Sequence, residues 1–110
     1  MVENVSVNEL ADLLSTDVDL VDIRDEREWL AGHVPGTRNI PFETLRADPD
    51  AYLAKTKPIV FVCARGVRSL SAAKLAERLG YSKIYSLDGG TQAWAKSGMS
   101  LSQEPVAHAA

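Results

Sequence analysis

Apolar residues fall along this chain in two alternating rhythms. Compact runs that suit a strand occur at residues 2–5 (VENV), 18–23 (VDLVDI), 58–63 (PIVFVC) and within KIYSLDGG, residues 83–90. The run at 58–63 is continuous, as expected of a parallel strand covered on both faces. Between these runs apolar residues return at helical spacing. Leu10, Leu13 and Leu14 follow Ser6 and Glu9, an S-x-x-E capping box that predicts a helix start. Asp25 and Glu28 repeat that logic around EREWLA, with Gly32 as the stop. Residues 69–79 form the clearest predicted helix. Leu70, Ala72, Ala73, Leu75, Ala76 and Leu79 give it a broad apolar face, and Gly80 ends it. TQAWAKSG is a last short helix stopped by Gly98.

The intervening segments read differently. HVPGTRNIPF carries two prolines and one glycine, so it is loop around a brief strand at 38–40. Residues 41–57 read as short helical turns interrupted by Pro49. Strand and helix alternate about five times, which predicts an α/β domain: a mainly parallel sheet with helices on both faces. No repeat, linker or low-complexity stretch divides the chain. The expected domain covers residues 1–100, and 101–110 is expected to be a mobile tail.

Composition narrows the function. A chain of 110 residues is long enough to bury a core without disulfides or structural metal. A formal net charge of −3 leaves no basic footprint for nucleic acid. One cysteine makes neither an internal disulfide nor a Cys-rich zinc site, and His33 and His108 lie far apart in sequence. A lone thiol fits a reducing compartment. The N-terminal MVENVSVNELADLL has no basic start and no long apolar stretch. No run approaches the ~18 apolar residues of a membrane span. The expectation is a cytoplasmic protein with no metal, no cofactor, and no nucleic-acid or membrane partner.

The candidate chemistry lies at Cys63, where the apolar run ends and a helix is about to begin. Functional crevices of open α/β sheets lie at such carboxyl ends. A free thiol has a pKa of about 8.5 and is a poor nucleophile until ionised. The loop Ala64, Arg65, Gly66, Val67, Arg68 and Ser69 changes that setting. Turning from strand to helix gathers backbone N–H groups, and the helix beginning near Ser69 adds its positive end. Gly66 permits a backbone conformation that a side chain hinders. Arg65 and Arg68 add positive charge if they turn inward. Such a loop favours an anion, either the thiolate or a group bound to it. The competing reading is a cysteine that only packs, since free cysteines are among the most buried residues.

Three segments together resemble the rhodanese family. VDIRDEREWLAGHVPGTRNIP is similar to its N-terminal signature, with G-H-[IV]-P-G and N-I-P. VCARGVRS resembles the active-site loop C-x-x-G-x-R-S of single-domain rhodaneses. LDGGTQAWAKSGMS resembles the C-terminal G-G-x-x-x-W-x-x-x-G, with Ser100 where a proline is common. The resemblance implies a rhodanese-like fold of roughly five strands and a sulfurtransferase whose nucleophile is Cys63. It implies that the thiolate takes the outer sulfur of thiosulfate or a related donor. The resulting persulfide then passes that sulfur to cyanide or a thiol acceptor, or to a sulfur-relay protein. Two alternatives are a persulfide carrier loaded by a partner protein and a non-catalytic regulatory module. Cysteine phosphatases use C-x5-R; the C-x4-R spacing from Cys63 to Arg68 makes a loop one residue shorter, better sized for sulfur than for phosphate.

Outside the loop, Asp22, Arg24 and Glu28 match charged positions of the first signature. They either touch the catalytic loop or form an ion-pair and capping network beside it. His33 is expected to be structural. Trp29 and Trp94 are expected to anchor packing. Gly89 and Gly90 are expected to turn the chain into the last helix.

Overall fold

The computed structural model describes residues 2–104. Its elements, in chain order, are β1 (Val2–Val5), α1 (Val7–Leu13), β2 (Asp19–Asp22), α2 (Glu26–Ala31), β3 (Arg38–Asn39), α3 (Phe42–Ala47), α4 (Pro49–Tyr52), β4 (Ile59–Val62), α5 (Val67–Arg78), β5 (Ile84–Leu87) and α6 (Gly90–Lys96). The strands form one five-stranded sheet in the order β1-β5-β4-β2-β3, and every pairing is parallel. This is the expected α/β architecture.

Residue alternation divides the core. Ile59 and Phe61 of β4 join Val21, Leu45, Ala72, Ala73, Ala76 and Ile84 in one cluster, on the side of α3 and α5. Val60 and Val62 join Leu10, Leu20, Leu87 and Trp94 in the other, on the side of α1 and α6. All four residues of β4 are therefore buried. Trp29 and Trp94 are both buried anchors, as expected. Among the described residues no helix is long and apolar enough to cross a membrane.

The topology places the functional end. The chain leaves β2 toward the β3 edge but leaves β4 toward β5. Two neighbouring strands thus send their following segments in opposite directions, and a crevice opens at their carboxyl ends. The segment after β2 supplies α2; the segment after β4 supplies Cys63 and the loop.

Both capping boxes form. Ser6 Oγ accepts from Glu9 N–H while the Glu9 carboxylate accepts from Ser6 N–H. Asp25 and Glu28 do the same at α2. Some boundaries differ from the sequence reading. The long helix begins at Val67, two residues before Ser69, because Gly66 adopts the left-handed conformation and caps it directly. It ends at Arg78, which leaves Leu79 exposed instead of on the apolar face. Pro49 does more than interrupt: it opens α4 at the first helical position, where its missing N–H costs nothing. Gly32 ends α2 in an extended conformation, with Leu101 packed over it.

The expected tail at 101–110 extends beyond the described residues from position 105. Its first part is tied to the domain. Ser102 exchanges backbone hydrogen bonds with His33 at 2.9 and 2.7 Å, and Gln103 Nε2 donates to Ala31 O at 2.9 Å.

Candidate active site

Cys63 is the first residue beyond β4 and packs with the α5-side cluster. Ala64, Arg65 and Gly66 then reverse the chain into α5. At Gly66 φ is +94°, and a Cβ there would lie 3.1 Å from Gly89 N and 3.2 Å from Leu87 O. The positive φ favours glycine, and the close backbone neighbours add to that preference. With Gly66 as the cap, the helix starts at once, and its first amides lack intrahelical acceptors. They find the sulfur instead. Gly66 N–H donates to Cys63 Sγ at 3.1 Å and Ser69 N–H at 3.2 Å.

A side-chain relay adds to the amides. Ser69 Oγ lies 3.3 Å from the sulfur and 2.8 Å from Ser86 Oγ, with both serines fully buried. When the sulfur is ionised, Ser86 donates to Ser69 and Ser69 donates to sulfur, so the two bonds reinforce one another. Burial pushes the Cys63 thiol up. The Ser69 hydroxyl and the amides of Ser69, Gly66 and Arg65 pull it down and prevail, so the thiol is held below its ordinary value. Cys63 is 1 % exposed. It lies on the floor of an open cleft of about 630 Å³, bordered by Glu28, Ala64, Arg65, Val67, Arg68 and Gln92. The sulfur thus combines a buried position in the α5-side cluster with aligned donors beside the cleft.

The two arginines differ. Arg65 is exposed at the rim, and among the described residues it makes no ion pair. Arg68 is engaged at both ends of its guanidinium, donating to Glu28 Oε1 at 3.1 Å and Oε2 at 3.2 Å. That hydrogen bond leads the causes holding Glu28 below the usual carboxylate range and Arg68 more firmly protonated. Val67 stands 74 % exposed beside them.

A second glycine turn braces the loop from behind. Thr91 N–H donates to Cys63 O at 2.9 Å and Gln92 N–H to Ala64 O at 3.1 Å. A Cβ on Gly90 would fall 2.2 Å from Cys63 O and 2.5 Å from Ala64 C. The sequence reading saw a turn at Gly89 and Gly90 but not this contact. Nor did it find Ser86, whose only sequence signal is a polar residue between apolar Tyr85 and Leu87 on a strand.

Asp22, Arg24 and Glu28 divide between the two readings. Asp22 and Arg24 form a buried ion pair, with Arg24 Nε 3.0 Å and NH2 2.9 Å from the two carboxylate oxygens. Arg24 also donates to Gly32 O at 2.7 Å, and Asn39 Nδ2 donates to Arg24 O at 2.8 Å. This pair fastens the β2 end to the following segments and does not border the cleft. Glu28 both caps α2 and reaches the loop after Cys63 through Arg68. His33 is 1 % exposed, stacked on Trp29 at 3.8 Å, with Nδ1 2.7 Å from Trp29 O. It does not line the cleft, in keeping with a structural role. Among the described residues no group of three or more His, Cys, Asp or Glu gathers as a metal site requires.

Comparison with known proteins bears on the chain as a whole. The family model for the rhodanese-like domain matches residues 6–97. The chain is 37 % identical over 98 residues to the thiosulfate sulfurtransferase GlpE of Shewanella oneidensis, covering 84 % of this chain and 91 % of that protein. Its fold is similar to the crystal structure of a rhodanese-related protein from Thermoplasma volcanium. There the TM-score is 0.84 at 26 % identity, covering 93 % of this chain and 99 % of the other. It is also similar to a Rhodopseudomonas palustris protein of unknown function described as a possible tyrosine phosphatase. That likeness has a TM-score of 0.81 at 32 % identity, covering 92 % and 85 % of the two chains.

Proposed function

The chain belongs to the rhodanese-like domain family and is a rhodanese-type sulfurtransferase, and from that premise we propose that it transfers the outer sulfur of thiosulfate through Cys63. The observation that carries the proposal is the convergence of Gly66 N–H, Ser69 N–H and Ser69 Oγ on one sulfur at the cleft floor.

The cycle has two displacements. The Cys63 thiolate attacks the outer sulfur of thiosulfate. A sulfur–sulfur bond forms, the bond to the sulfonate sulfur breaks, and sulfite leaves with that electron pair. Cys63–S–S⁻ remains. Cyanide or a thiolate then attacks the terminal sulfur, forming thiocyanate or a new persulfide and returning the Cys63 thiolate. Charge balances in each step, and no outside oxidant enters. The amide cluster stabilises negative charge on the attacking and leaving Cys63 sulfur without reorganising.

The short C-x4-R loop supports sulfur chemistry over phosphate chemistry, and so does Arg68, which is occupied by Glu28. The chain carries one cysteine, so the acceptor thiol comes from another molecule. A reducing, cytoplasmic setting suits that thiol. Intact-mass analysis after thiosulfate exposure tests the reading. The expected result is a gain of about 32 Da, the mass of one sulfur, lost again on adding cyanide. No gain in wild type refutes thiosulfate as donor, and a gain in Cys63→Ser refutes the nucleophile.

A further inference from the structure

The cleft holds two arginines, yet one is neutralised by a residue from a different element. Glu28 comes from α2, after β2, and Arg68 from the first turn of α5, after β4. Their bidentate contact spans the crevice between the two strands, and both side chains border the cleft above Cys63. Charges can be counted from this geometry. With the thiolate formed, the charges of Cys63, Glu28, Arg65 and Arg68 sum to zero, and Arg65 is the cleft cation that no carboxylate pairs among the described residues. Without the Glu28 charge the same cleft is net positive.

We propose that Glu28 is a specificity-determining residue: it holds Arg68 away from bound anions, so that Arg65 alone presents free positive charge to donor and product. The choice has a chemical rationale, which rests on the sulfurtransferase reading for the identity of the anions. Sulfite departs as an anion beside a newly formed anionic persulfide. A second free guanidinium tightens donor binding but also retains sulfite, and it favours competing tetrahedral oxyanions. Glu28 is a positioning residue here, acting through Arg68 and not on the reacting sulfur.

The side chain can be altered without losing its other task. Glu28 Oε1 accepts from Asp25 N–H at 3.3 Å in the capping box. Glutamine serves equally at that position of the motif. The Arg68 and Glu28 side chains are 42 % and 35 % exposed, so breaking the pair carries little stability cost.

The test is independent of turnover. Cys63 is alkylated with iodoacetate, an anion, and with neutral iodoacetamide, and the ratio of rate constants reports the potential at the sulfur. Dividing by the iodoacetamide rate removes any change in thiolate fraction. Glu28→Gln is expected to raise that ratio about threefold to tenfold, the size of a unit charge's effect across a partly solvated cleft. Arg68→Gln, which leaves Glu28 unpaired, is expected to lower it. The double variant is expected to return to the wild-type ratio. A ratio unchanged or lowered in folded Glu28→Gln overturns the proposal. Should that variant misfold, an unchanged ratio in Arg68→Gln overturns it equally. In steady state, Glu28→Gln is expected to lower KM for thiosulfate and to strengthen inhibition by sulfite. Failure of wild-type turnover removes the sulfurtransferase reading but leaves the alkylation ratios to decide the role of Glu28.

Discussion

The turn from β4 into α5 and the turn from β5 into α6 are one construction used twice, for opposite ends. Each runs from a buried strand through a left-handed glycine, Gly66 or Gly89, straight into a helix. Each therefore offers unpaired amides at a helix N-terminus. At α5 the amides of Gly66 and Ser69 go to a side-chain atom, the Cys63 sulfur. At α6 the amides of Thr91 and Gln92 go to the backbone carbonyls of Cys63 and Ala64. The first turn makes a place for negative charge; the second holds that place still. A helix N-terminus alone therefore does not mark an active site. What marks it is which atom the free amides meet, and whether that atom is open to the cleft.

The comparison can be broken from either side. The largest effect is expected at the first turn's acceptor: Cys63→Ser is expected to remove thiosulfate-to-cyanide transfer while circular dichroism stays native. Retained turnover would mean that the α5 amides serve something else. Next comes the brace. Gly90→Ala places a methyl group 2.2 Å from Cys63 O, so the backbone of the loop must shift. Activity is expected to fall roughly 100-fold through displacement of the loop, with ~1–3 kcal/mol or more of stability lost in urea melts. Native activity in that variant would show that α6 does not hold the loop.

Gly66→Ala, strained at φ +94° but with looser contacts, is expected to cost ~1–3 kcal/mol. Its activity loss should be smaller than that of Gly90→Ala.

Smaller effects separate the donors to sulfur. Ser69→Ala removes the hydroxyl but keeps the amide, and is expected to reduce kcat/KM about tenfold, as for one hydrogen bond to a charged group. Its signature is the pH profile. The folded protein holds the Cys63 thiol below its ordinary value, so reactivity rises with pH through that lowered value and is lost as pH falls through it. Iodoacetamide labelling should show the inflection moving upward in Ser69→Ala. Ser86→Ala, one bond further from the sulfur and on β5, should move it the same way by less. An equal or larger shift would mean that Ser86 acts by another route than Ser69.

Much of this architecture was legible locally. The S-x-x-E and D-x-x-E boxes fix the starts of α1 and α2, because a cap is satisfied within three residues. The unbroken run around β4 announces a strand covered on both faces. Cys63, Arg65, Gly66 and Arg68 were legible as a loop because strand end, glycine and helix start are neighbours in sequence. Local pattern puts the start of α5 near Ser69, two residues late, since nothing local says that Gly66 caps the helix immediately. Periodicity puts Leu79 on the apolar face for a related reason: it does not report where a helix stops.

By itself the sequence determined the alternation of strands and helices, the position of the candidate nucleophile and the residue types around it, because these depend on neighbours a few positions apart. Tertiary structure alone decided that Glu28 reaches Arg68, forty positions away, that Gly90 presses on the Cys63 carbonyl, and that Ser86 lies beneath Ser69. In a parallel sheet each crossover brings together segments separated by tens of residues. Their mutual register is set by sheet order and packing, which no local pattern encodes.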